Sequence, residues 1–254
     1  MNILKEIDTA MTQINKIKPF EGIYHKEIGH YYKIETTYTS NVIEGNTYTL
    51  NETIAVLEDG TSTDCRSAQA YYEIAGHGKA YDYMFNLIEK PVLTEADILQ
   101  CHLLYSQNIP GFKNPGKYRN FDIHSDIFVS QDQSGQKTKE KLPKAAEIPA
   151  KMKEYIEWLK KERNYQHPVL FSAEAHRKLI NIYPFSDGNG KIARLVMNTC
   201  LFQEKLLPVC IPLVKHEEYF EILERNDSKE IGNFIANLEL QTIKDLMQHF
   251  NIEL

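Results

Sequence analysis

The chain has 254 residues, 42% of them apolar and 25% charged, with a formal net charge of −6. That composition suits one soluble globular domain, or one with an added subdomain, and its scattered basic residues speak against nucleic acid as a partner. No apolar run approaches the roughly 20 residues that span a bilayer, and the charged start MNILKEIDTAMTQINK is no signal peptide, so no membrane partner and a cytoplasmic location are expected. Cys65, Cys101, Cys200 and Cys210 form no metal-type pair. Their apolar neighbours point to buried thiols in a reducing compartment.

Ile3, Leu4, Ile7, Met11 and Ile14 recur at helical spacing, which predicts an amphipathic helix over residues 2–17. A second helix is expected from about His25 through the tyrosine-rich stretch to a stop at Gly45-Asn46. Thr49 with Glu52, and Thr94 with Asp97, read as capping boxes that open two more helices. Between them, residues 67–89 keep a helical pattern despite Gly76 and Gly78. Cys101-His102 reads as core packing rather than a metal site. A Pro/Gly loop over residues 110–117 breaks the helical order.

Residues 118–139 supply the only strand material. Phe121, Ile123, Ile127 and Val129 alternate, and Gln133-Ser134-Gly135-Gln136 makes a turn. A lone hairpin cannot be a sheet core, so it is either decoration or an edge on which an extended peptide docks. Helices are expected again over 148–163, 169–182, 191–202, 216–225 and 231–249. The fold class is therefore all-α, with one small β-hairpin flap.

The stretch YPFSDGNGKIAR, residues 183–194, joins two of these helices through a short loop. Gly188 and Gly190 let its backbone turn tightly and approach a ligand. The helix that follows would aim its unpaired N–H groups at the loop, and Lys191 and Arg194 add positive charge. Asp187 beside such an anion site suits a metal-bridging acid. A plain helix–loop–helix corner capped by Asp187 is the alternative. A P-loop is excluded, because Ile192 follows Gly190-Lys191 where Ser or Thr is required.

This stretch resembles the signature of the Fic family, HPFx(D/E)GNGRxxR, at Pro184, Phe185, Asp187, Gly188, Asn189, Gly190 and Arg194. The similarity covers about residues 98–206, including Pro115-Gly-Lys-Tyr-Arg119, which is like the family's PGxYR. Upstream, Ser40-Asn-Val-Ile-Glu44-Gly45 matches the family's inhibitory pattern (S/T)xxxE(G/N). The resemblance divides the chain into an inhibitory helical region (1–93), a core (94–207) and C-terminal helices (208–254). It implies transfer of AMP from ATP to a Ser, Thr or Tyr hydroxyl of a target protein. Asp187 would bind Mg²⁺, and Ser186, Gly188, Asn189, Gly190 and Lys191 would hold nucleotide, with the Asn189 side chain adding a donor. Arg194 would grip the γ-phosphate, Glu44 would pair with Arg194 to inhibit, and Ile123, Ile127 and Val129 would dock the target. A homodimer is a further partner that the resemblance allows.

Two positions depart from the signature. Tyr183 stands where the family has the histidine that takes the attacking hydroxyl's proton. A phenol of ordinary pKa, about 10, is ionised in only about one molecule in 10³ at pH 7. Losing a matched base typically costs about 10²–10⁴-fold in rate. Lys191 replaces an arginine, keeping charge but losing the forked geometry. His176, about two turns before Tyr183, lies about 10 Å away along the helix axis, too far to substitute, and reads as a packed helix histidine. Three functions stay open: a weakened transferase, an inactive nucleotide- or protein-binding module, and Glu44-dependent removal of AMP from modified proteins.

Overall fold

A computed structural model of the chain describes residues 3–17, 22–62, 67–123, 128–131, 137–140 and 142–249. Five helices precede the only strands of the described residues: α1 (Ile3–Ile17), α2 (Gly22–Val42), α3 (Leu50–Glu58), α4 (Ala68–Phe85) and α5 (Glu95–Ser106). Five follow: α6 (Ile148–Glu162), α7 (Pro168–Ile182), α8 (Asn189–Gln203), α9 (His216–Arg225) and α10 (Ser228–His249). The fold is all-α. Among the described residues, no helix is long and apolar enough to cross a membrane.

Both capping boxes form as expected, with Thr49 and Glu52 opening α3 and Thr94 and Asp97 opening α5. Helix α4 stops at Phe85 rather than near residue 89, and turns carry the chain on to Pro91. Gly76 has a packing role: a Cβ there would lie 2.0 Å from the Tyr105 carbonyl oxygen, so its absence lets α4 and α5 lie close. Helix α2 ends at Val42, and Glu44 sits in the turn just after it. The buried Asn46 anchors that turn, donating to the Ala70 carbonyl and Glu73 on α4 and accepting from Tyr48 N–H.

The strand reading needs moving. Pairing is confined to β1 (Phe128–Gln131) and β2 (Lys137–Glu140), antiparallel with Phe128 opposite Glu140. Residues 118–123 form no strand, because this stretch is tied to the core by Arg119 and by Tyr118, whose hydroxyl donates to Glu95. Ile123 is half-buried against the core, not on the hairpin. Ile127 lies outside the described residues.

One buried cluster runs from Ile7 and Ile14 on α1, through Ile98 and Leu179, to Ile243 and Met247 on α10, and a small second one gathers Tyr48, Val56 and Ile74 around α3. Nearly every α8 residue is buried, and α8 packs against α2, α4, α5 and α7. Its amino end therefore lies where these helices meet.

Candidate active site

Helix α7 ends at Tyr183, which takes a left-handed backbone (φ 49°) and donates its N–H to the Leu179 carbonyl. That bend starts the loop, and Arg119 fastens it. The buried guanidinium donates to the carbonyls of Tyr183 (2.8 Å), Phe121 (2.9 Å) and Pro143 (2.5 Å), while Arg119 N–H donates to the Pro184 carbonyl (2.9 Å). Phe185 is fully buried, and the Asn189 amide closes the loop on it. Asn189 Oδ1 accepts from Phe185 N–H and its Nδ2 donates to Phe185 O, both at 2.9 Å.

This changes the expectation for Asn189. One of its two side-chain N–H donors is engaged in shaping the loop, which leaves the other, with the backbone, for a partner. Ser186 is likewise turned outward, its hydroxyl donating to the Lys113 carbonyl at 2.7 Å.

Gly188 precedes α8 with φ 77°, and no side chain caps the helix start. An uncapped helix amino end favours an anion. The Glu44 carboxylate supplies one. Its Oε1 accepts from Arg194 Nη2 and its Oε2 from Lys191 Nζ, both at 2.5 Å. It comes so near that a Cβ on Gly190 would lie 2.4 Å from Oε1. Burial alone would raise the Glu44 pKa, but the charges of Arg194 and Lys191 prevail and bring it down to about 2.

Arg194 is 5% exposed and bonded on every side. Besides Glu44, it donates to the Ser40 hydroxyl (2.9 Å), the Ser40 carbonyl (3.1 Å) and the Tyr219 hydroxyl on α9 (3.3 Å). Having accepted from Arg194, the Tyr219 hydroxyl donates to His176 Nε2 at 2.8 Å. Burial, then the Arg194 charge, lower the His176 pKa to about 3, so it stays neutral. His176 is a packed histidine bonded to an arginine's support, not a base at Tyr183.

Asp187 is exposed, and its Oδ1 accepts from Gly188 N–H at 2.6 Å. Tyr183 is half-buried, and burial, then the charges of Asp187 and Glu44, push its phenol pKa above the ordinary value. His102 is fully buried with its ring stacked on Phe185, centroids 3.7 Å apart and planes within 7°.

A sequence profile of the Fic/DOC family matches residues 92–201. That match identifies residues 92–201 as a Fic/DOC domain. Curated relatives include the protein adenylyltransferase Fic of Drosophila grimshawi, 30% identical over 251 residues covering 97% of this chain and 46% of that protein. The Drosophila mojavensis protein of the same name is also 30% identical, covering 97% and 44%. The chain thus spans less than half the length of these relatives. Among solved structures, a Fic-1 segment from C. elegans superposes with a TM-score of 0.82 at 21% identity, covering 98% of this chain and 73% of that one. A Fic-domain signaling protein from Bacteroides thetaiotaomicron gives 0.78 at 23% identity, covering 94% of each. Both are likenesses of fold, and both extend well before the matched Fic segment.

Within the Fic domain, the structure brings Tyr183, Asp187, Gly188, Gly190, Lys191 and Arg194 around one loop, and it adds Glu44 from outside the domain. Val129 stands on β1, away from that loop in sequence, and Ile123 packs elsewhere. Three residues at the site were not assigned roles from sequence: His102, Arg119 and Tyr219. Arg119 was flagged by its motif alone, whereas Tyr219 carries no signal that separates it from other core tyrosines.

Proposed function

We propose that the chain is a Fic-type protein adenylyltransferase held off by Glu44 and weakened by Tyr183. It would move AMP from ATP to a Ser, Thr or Tyr hydroxyl of a target protein. The observation that carries this reading is the Glu44 carboxylate lying at the open start of α8 on both Lys191 and Arg194. It occupies a place with the charge and donors that terminal phosphates of a nucleotide need. The names of the Drosophila relatives agree with this activity.

With Glu44 displaced, the backbone N–H groups of Asn189, Gly190 and Lys191 at the α8 start would face the phosphates, and the Lys191 and Arg194 side chains would neutralise them. Asp187 fits Mg²⁺, which is held by one or two carboxylates together with phosphates and water. Among the described residues there is no cluster of three or more His, Cys, Asp or Glu able to hold a metal by itself, in keeping with an ion that arrives on the nucleotide. When bound, Mg²⁺ lowers the charge of the phosphates and orients them. In the transfer, the target oxygen bonds to the α-phosphorus, the bond to the β-phosphate oxygen breaks and pyrophosphate leaves. The hydroxyl proton must go to a base, and a neutral phenol at Tyr183 accepts it poorly. The hairpin β1–β2 is the element on which an extended target segment would dock by strand addition. Buried, unpaired thiols at Cys101 and Cys200 fit a reducing, cytoplasmic setting.

The raised Tyr183 pKa favours a second reading, a module that binds nucleotide without transfer. Removal of AMP by Glu44-activated water would need that carboxylate freed from its two cations, since a group at about 2 is a poor base near neutral pH. Incubation with α-labelled ATP and Mg²⁺ separates these. Glu44→Gly combined with Tyr183→His is expected to label itself or a partner more strongly than wild type. No gain in the double variant contradicts a working transferase limited at these two positions, and nucleotide binding without label in any variant supports the module.

A further inference from the structure

We propose that His102 is a positioning residue for the nucleotide loop, fixing the plane of the Asp187–Gly188 peptide through a hydrogen bond to the Asp187 carbonyl. This rests on the nucleotide-site reading above and adds a residue outside the signature stretch to it.

Three contacts define the ring. Its Nδ1 lies 3.0 Å from Gly116 N, its Nε2 lies 3.2 Å from Asp187 O, and one face stacks on Phe185. A backbone N–H can only donate, so Nδ1 accepts from Gly116. The neutral ring then carries its proton on Nε2 and donates it to Asp187 O. His102 thus joins three segments: α5, the 110–117 loop and the signature loop, the last 85 residues away in sequence. A phenylalanine or leucine could fill the same apolar space. Burying an imidazole there is favourable only because both nitrogens are matched.

The consequence lies in the peptide unit that is held. A trans peptide is planar, with C=O and N–H on opposite sides. Aiming the Asp187 carbonyl at His102 therefore aims Gly188 N–H the other way. There it meets Asp187 Oδ1 at 2.6 Å, which sets the direction of the carboxylate. Gly188 has φ 77°, a conformation open to several peptide orientations in glycine, so an external restraint is what selects one. Arg119 secures the other end of the loop through the Tyr183 and Pro184 carbonyls. His102 and Arg119 are two posts, and the phosphate-facing backbone is slung between them.

Two near-isosteric substitutions separate positioning from packing. His102→Asn places an oxygen near Nδ1 and keeps only the Gly116 contact. His102→Gln reaches toward the Nε2 position and keeps a donor for Asp187 O. In a Glu44→Gly background, calorimetric titration with ATP and Mg²⁺ is expected to show His102→Asn binding about tenfold more weakly, as for one lost buried hydrogen bond. His102→Gln should stay within about threefold of its parent at a similar melting temperature. Without nucleotide, the Gly188 amide should exchange hydrogen at least about tenfold faster in His102→Asn than in His102→Gln, while α5 amides are unchanged. Equal exchange at Gly188 in the two variants overturns the inference whatever the nucleotide does. A Glu44→Gly parent that binds no ATP overturns the nucleotide-site reading instead, with the exchange result still deciding the role of His102 in the loop.

Discussion

At Glu44, one carboxylate meets two cations, and the geometry fixes how that contact responds to pH. The folded-state pKa, about 2, lies below the ordinary carboxylate value of 4.5, so the contact contributes stability above the ordinary value and loses it as pH falls from there through about 2. No physiological acidification opens it. Displacement must come from a competing anion or from movement of α2. Arg194 supplies the discriminating test: if it grips a γ-phosphate, Arg194→Ala in a Glu44→Gly background should weaken ATP by about tenfold or more and ADP much less. Equal losses for the two nucleotides, measured by calorimetry, contradict that assignment. The pairing of Glu44 with Arg194 was legible in sequence because two short motifs carried it across 150 residues. The second partner, Lys191, was not, since the sequence suggested only a phosphate contact for it. The loop-shaping bonds of Asn189 were not legible for a related reason: its type says donor, and only the loop's shape reveals that one N–H and the oxygen bind Phe185.

Among the elements, local chemistry was the most readable. The boxes at Thr49 and Thr94 set the starts of α3 and α5, because cap and third residue lie within one turn of each other. The hairpin was read too early, since alternation at Phe121 and Ile123 was taken for a strand when Arg119 ties that stretch to the core. Glu239 on α10 was invisible as a special residue. Its side chain is wholly buried, Oε1 accepts from Leu207 N–H at 3.0 Å, and burial pushes its pKa up to about 8. The folded state therefore keeps a proton that the unfolded chain releases above its value of 4.5, and stability is lost as pH rises from there toward 8. Glu239→Gln keeps the acceptor and removes the titration. Its melting temperature should fall less than that of wild type between about pH 6 and about pH 8.5. An identical fall in both proteins contradicts a protonated Glu239.

Over the whole molecule, the site is a product of long-range packing. Helix α2 is tied to α4 by Lys33, which reaches Asp82 at 2.6 Å, and the turn that follows it by Asn46, while α4 and α2 both pack on α8. Such contacts leave no trace in local spacing, which is why the buried relay from Glu44 through Arg194 and Tyr219 to His176 emerged only from the structure. The central claim is that Glu44 occupies the anion site which nucleotide phosphates would otherwise fill. Titration of ATP with Mg²⁺ into wild type and Glu44→Gly tests it most directly. Loss of one carboxylate held by two charge-assisted bonds should tighten ATP binding by about tenfold or more. Equal affinity in the two proteins would contradict it.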